Sequence, residues 1–135
     1  MLTDAEIVTA LRRELFQGRD SELLALYVFG STASGTQRAD SDLDLAFLPA
    51  GPIEPKRTFD AAQELARLDG RDVDLIDLSR ASTVFRAQVV SAGRPVLTAD
   101  ARRVGEFEMY ALSDYARLNE ERREAVDVFL ERYRD

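Results

Sequence analysis

The stretch FGSTASGTQRADSDLDLAFL, Phe29 to Leu48, sets a Gly-Ser turn between two apolar runs and places Asp42 and Asp44 among the leucines of the second. The run that feeds the turn, LLALYVF from Leu23 to Phe29, is short, continuous and apolar, the pattern of a buried strand. The next run, SDLDLAFL from Ser41 to Leu48, predicts a second strand. Strand side chains alternate between faces, so Asp42 and Asp44 share one face and Leu43 and Leu45 the other. Carboxylates two residues apart on a strand lie within about 7 Å and repel. Such a pair belongs on a solvated face, or where a divalent cation neutralises both. The turn adds a second clue. Backbone N–H groups at a strand-to-helix turn favour anions, phosphate above all. Gly30 lets a ligand approach the backbone closely, and Ser31 offers a hydroxyl. Together they describe a phosphate cradle beside a carboxylate pair.

Composition narrows the chemistry. The 135-residue chain has a length suited to one domain, and 45% hydrophobic with 32% charged residues is the balance of a globular one. It contains no Cys and no His, which excludes thiolate or imidazole metal ligands, disulfides and a His general base. A metal here must be a hard cation on oxygen ligands, Mg²⁺ or Mn²⁺, and a general base is expected to be a carboxylate. The net charge of −7 argues against direct nucleic-acid binding through the overall field. No run approaches the roughly 18 apolar residues of a membrane span, and MLTDAEIVTALRREL lacks a signal-peptide layout. The expected location is cytoplasmic.

The remaining segments supply the frame. Thr3 and Glu6 form a capping box for a helix carrying Ile7, Val8, Leu11 and Leu15 to about Gln17. After the break at 49–55, a helix is expected from Lys56 to Leu68 with Phe59, Leu65 and Leu68 facing inward, ended by Asp69-Gly70. RDVDLIDL, Arg71 to Leu78, reads as a third strand, in which Asp72, Asp74 and Ile76 share a face and Asp77 points the other way. Ser82 caps a helix with Phe85, Val89 and Val90, closed by Gly93; RPVLT follows as an edge strand or extended segment. From Asp100 to the end the chain reads as helix, with a bend expected near Gly105. The fold class is therefore α/β (α+β), a small mixed sheet flanked by helices with a helical tail.

The motif GSTASGTQRADSDLD, Gly-Ser followed by ten residues and Asp-x-Asp, resembles the signature of the nucleotidyltransferase superfamily related to DNA polymerase β. The short length and helical ending are similar to its minimal nucleotidyltransferases, the MNT group. The resemblance implies a two-metal site: Asp42 and Asp44 hold Mg²⁺ (or Mn²⁺) against the triphosphate of ATP, while Gly30 and Ser31 hold its β/γ end. It also implies a third carboxylate mid-strand between apolar neighbours, which Asp74 matches best. Asp74 then completes the metal site and accepts the proton of an attacking hydroxyl. Arg38, in the intervening loop, and Ser41, before Asp42, are the further nucleotide-binding candidates.

The tail, FEMYALSDYARLNEERRE, is similar to that of the MNT antitoxins paired with HEPN-domain ribonuclease toxins. For that group the implied reaction transfers AMP from ATP to a tyrosine of a HEPN-type toxin. Adenylyl transfer to a small molecule, or a non-catalytic antitoxin acting by binding alone, are the alternatives. The expected division is a minimal nucleotidyltransferase domain at 1–98 and a C-terminal helix at 99–135. Val104, Phe107, Ala111, Tyr115 and Leu118 form one stripe of that helix, and Val126, Phe129 and Tyr133 continue it, to be met by the domain or by a partner.

Overall fold

A computed structural model describes residues 1–17, 22–30 and 42–132. Four helices and four strands follow in the order α1 (Asp4–Phe16), β1 (Leu23–Phe29), β2 (Leu43–Pro49), α2 (Pro55–Asp69), β3 (Val73–Asp77), α3 (Thr83–Ala92), β4 (Arg94–Thr98) and α4 (Ala101–Arg132). The sheet order is β3-β2-β1-β4. β1 runs antiparallel to both β2 and β4, whereas β2 and β3 are parallel, joined through α2.

The alternation read from the sequence sorts the sheet into two faces. Leu43, Leu45 and Phe47 of β2 join Leu23, Leu26 and Val28 of β1 in a core covered by Ile7, Leu11 and Leu15 of α1 and by Ala61 and Leu65 of α2. On the opposite face Tyr27, Ala46 and Leu48 pack with Val89 of α3 and Val104 of α4. Thr3 and Glu6 form the capping box, and the Ser82 hydroxyl accepts from the Phe85 amide to start α3. β4 is the edge strand expected of RPVLT.

Three expectations shift. The second strand begins at Leu43 and extends to Pro49, so Asp42 stands just before it; its Leu43 amide donates to the Asp72 carbonyl at 2.9 Å. In α2, Phe59 and Leu68 face solvent, 63% and 38% exposed, and the inward stripe is Ala61, Leu65 and Asp69. α2 packs beside α1 and over β3, and small Ala61 allows that close approach, leaving Phe59 about 200° away around the helix. α4 continues through Gly105 as one helix of 32 residues.

Asp69, the third member of that stripe, is a buried acid. It accepts from the Leu2 amide at 2.8 Å and from the guanidinium of Arg71, whose side chain is only 6% exposed. Burial pushes the Asp69 carboxyl up, but the hydrogen bonds from Arg71 and Leu2 outweigh it and hold the group below the usual carboxylate range. A lowered folded-state value contributes stability at neutral pH that is lost as pH falls through it. Asp69→Ala leaves a buried guanidinium without its anion and should cost about 3–5 kcal/mol. A denaturant titration at pH 7 checks this; a loss under about 1 kcal/mol would mean the pair behaves as a surface one.

Candidate active site

The parallel pairing of β2 and β3 sets Asp44 directly beside Asp74. Both lie on the face away from α1 and α2; Asp44 is half-buried and Asp74 exposed. Asp42, exposed, precedes β2. Burial raises the Asp44 carboxyl above its ordinary value, and the negative charges of Asp74 and Asp42 raise it further. The charges of all three acids therefore meet at Asp44.

Gly30 completes the cluster from β1. Phe29 is the cross-strand partner of Asp44, and Gly30 follows it with a left-handed φ of 71°. A Cβ at Gly30 would lie 2.3 Å from Asp44 Oδ2, so only glycine leaves room for that carboxylate. Of the residues read from the sequence, Gly30, Asp42, Asp44 and Asp74 thus come together. Ser31, Arg38 and Ser41 lie outside the described residues.

The neighbouring acids separate cleanly. Asp77 points to the opposite face and is buried, its Oδ1 accepting from the Ser79 amide at 2.9 Å and the Ser79 hydroxyl at 2.6 Å. It organises the turn after β3. Asp77→Ala should lower stability by about 1–3 kcal/mol through the unpaired Ser79 amide while the rate of the reaction proposed below stays within about threefold. A silenced Asp77→Ala with an active Asp74→Ala would reverse the two assignments.

The donor chemistry suits a hard divalent cation: carboxylate oxygens only, with mutual repulsion that a cation relieves. Among the described residues no three acidic side chains are already closed into a metal cage. The fit to a cation accordingly rests on donor type and excess negative charge. One feature that sequence patterning assigned only to helix packing also borders the site: Phe85 of α3 meets Phe29 edge-on, with ring centroids 5.2 Å apart and planes at 87°.

Comparison with known proteins identifies the family. The family model described as polymerase beta, nucleotidyltransferase matches residues 13–102. Protein adenylyltransferase MntA of Shewanella oneidensis is 35% identical over 126 residues, 93% of this chain and 86% of that protein. The crystal structure of a toxin–antitoxin with AMP-PNP superimposes with a TM-score of 0.81 at 33% identity, over 96% of this chain and 99% of that one. A structure of tri-AMPylated Shewanella oneidensis HEPN toxin in complex with MNT antitoxin gives a TM-score of 0.71 at 28% identity, over 95% and 99% of the two chains.

Proposed function

The chain belongs to the polymerase β nucleotidyltransferase family, and from that premise we propose that it is the antitoxin of a toxin–antitoxin pair, a protein adenylyltransferase that moves AMP from ATP to a tyrosine of a HEPN-type ribonuclease toxin. The observation that carries this reading is the in-register Asp44–Asp74 pair with Gly30 pressed against it, in a chain similar along most of its length to an adenylyltransferase. Asp42, Asp44 and Asp74 would hold Mg²⁺, which when bound neutralises phosphate charge and polarises the α-phosphoryl group. Gly30 and Ser31 receive the β/γ end of the triphosphate on backbone amides. The tyrosine oxygen attacks the α-phosphorus in line, its proton passes to the Asp74 carboxylate, and the bond to the β-phosphate oxygen breaks to release pyrophosphate. Because the donor is ATP, the reaction belongs in the cytoplasm; among the described residues no helix is long and apolar enough to cross a membrane.

Residues 1–98 would perform this chemistry, and 99–135 would hold the partner. The first half of α4 packs on the domain through Val104, Phe107 and Ala111. From Glu120 to Arg132 every position is exposed, including Val126 (54%), Val128 (58%), Phe129 (58%) and Leu130 (51%). These four large apolar side chains within five residues point around most of the helix, which suits enclosure by a protein partner rather than by one flank of this domain. Truncation after Leu118 should leave the melting temperature of the isolated chain within about 2 °C and weaken toxin binding about a hundredfold. A collapsed melt would return the segment to the core.

The function itself is tested by co-expression with the HEPN-type toxin and intact-mass measurement of both proteins. The toxin should gain one or more AMP units only when Asp42, Asp44 and Asp74 are present. A fully inhibited but unmodified toxin would replace transfer with binding alone.

A further inference from the structure

We propose that the cavity between the end of β1 and α3 holds the nucleobase of the donor nucleotide, with Gln88 reading the edge of the ring. This rests on the nucleotidyl-transfer reading and adds the substrate's base to it. The cavity measures about 390 Å³, and Phe29, Gly30, Phe85, Gln88, Val89 and Ala92 line it. That volume lies within the roughly 300–1,000 Å³ range of small-molecule sites.

Its position follows from the strand pairing. Gly30 is a wall of the cavity and also the residue packed against Asp44 Oδ2, so one glycine separates the carboxylates from the cavity. The lining is apolar, with two phenylalanine rings and no charged side chain among its described residues, so the triphosphate itself does not belong there. A flat heteroaromatic ring does. It can stack or pack edge-on against Phe29 and Phe85 while its polar edge meets an amide. Gln88, exposed on α3, is the polar side chain among the described lining residues, and an amide offers a donor and an acceptor together, matching the N7 acceptor and N6 donor of adenine.

The acceptor tyrosine is the rival occupant, and direction of entry decides against it. A phenol enters a cavity with its hydroxyl leading, which carries the reacting oxygen away from Asp74. A nucleobase enters with ribose and phosphates trailing, which leaves the triphosphate at the mouth, on the side of Gly30 and Asp44.

The test measures binding without any acceptor, using the full chain, Mg²⁺, and AMP-PNP, GMP-PNP or inorganic tripolyphosphate in a calorimeter. Gln88 and Ala92 are both exposed positions of α3, so Gln88→Ala and Ala92→Trp should fold normally. Ala92→Trp fills the cavity and should weaken AMP-PNP at least tenfold while leaving tripolyphosphate unchanged. Gln88→Ala should narrow any AMP-PNP preference over GMP-PNP by at least threefold. Unchanged AMP-PNP affinity in Ala92→Trp overturns the assignment; if transfer to the toxin is lost in that variant, the cavity belongs to the acceptor. Equal weakening of AMP-PNP and tripolyphosphate also overturns it. A wild-type chain that modifies no toxin, yet loses base-dependent affinity in Ala92→Trp, would remove the acceptor assigned above and keep the base in this cavity.

Discussion

Asp44→Asn should all but abolish AMP transfer and raise the melting temperature of the isolated chain. The two effects have one cause. Asp44 sits against Asp74 and near Asp42, and burial with those two charges raises its carboxyl above the ordinary value. A raised folded-state value means the native protein binds the proton more tightly than the unfolded chain does. Stability is therefore gained as pH falls into the carboxylate range and is lost as pH rises through the folded value. At pH 7 the ionised group is a net burden on the cation-free fold, and the amide removes it at almost constant shape. In the proposed mechanism the same charge would hold a divalent cation against the triphosphate, and metal-assisted charge stabilisation supplies several kcal/mol, so transfer should fall roughly a thousandfold or more. Quenched-flow labelling of the toxin and a thermal melt without divalent cations read both effects. A variant that transfers at the wild-type rate, or that melts lower, contradicts the site.

Gly30→Ala comes second in size. The added methyl demands a left-handed backbone from an L-residue, costing about 1–2 kcal/mol, and it meets Asp44 Oδ2 at 2.3 Å. The carboxylate is the softer partner and gives way. Displacing a catalytic group by about 1 Å is enough to cost roughly a hundredfold in rate, so kcat/KM should fall by about that factor while the melt drops only a few degrees. Gly70 provides the control. It too has positive φ, 87°, but an added Cβ there meets nothing within 4 Å, so Gly70→Ala should lower the melt without touching transfer.

The strand faces that carry the candidate site were legible in the sequence because a period of two is a strong local signal. Asp44 set against Leu43 and Leu45, and Asp74 set against Asp77, needed nothing but alternation, and those faces came out as read, whereas Asp42 fell just outside the strand. The helices were harder. Phe59 looked like a core residue because large apolar side chains usually are, yet the inward stripe of α2 is chosen by contact with α1 and β3, where Ala61 fits and a ring does not. Asp69 gave no sign of burial at all. Its partners are a guanidinium two residues away and an amide 67 residues away, and only the folded chain brings the second within reach. The Phe29–Phe85 contact was invisible for the same reason, since nothing in either segment names the other.

The parallel ladder between β2 and β3 has a consequence for how such a protein can vary. Neighbouring strands stand about 4.8 Å apart whatever their sequence, so the interval between the Asp44 and Asp74 backbones is a constant of the peptide group rather than a dimension tuned by surrounding side chains. The helix and connections between them can lengthen, shorten or change composition without altering it. A slip of one residue in β3, by contrast, turns Asp74 to the far side of the sheet and brings a hydrophobic neighbour beside Asp44. Drift across most of the intervening sequence leaves the two carboxylates side by side, and drift at a few ladder positions parts them.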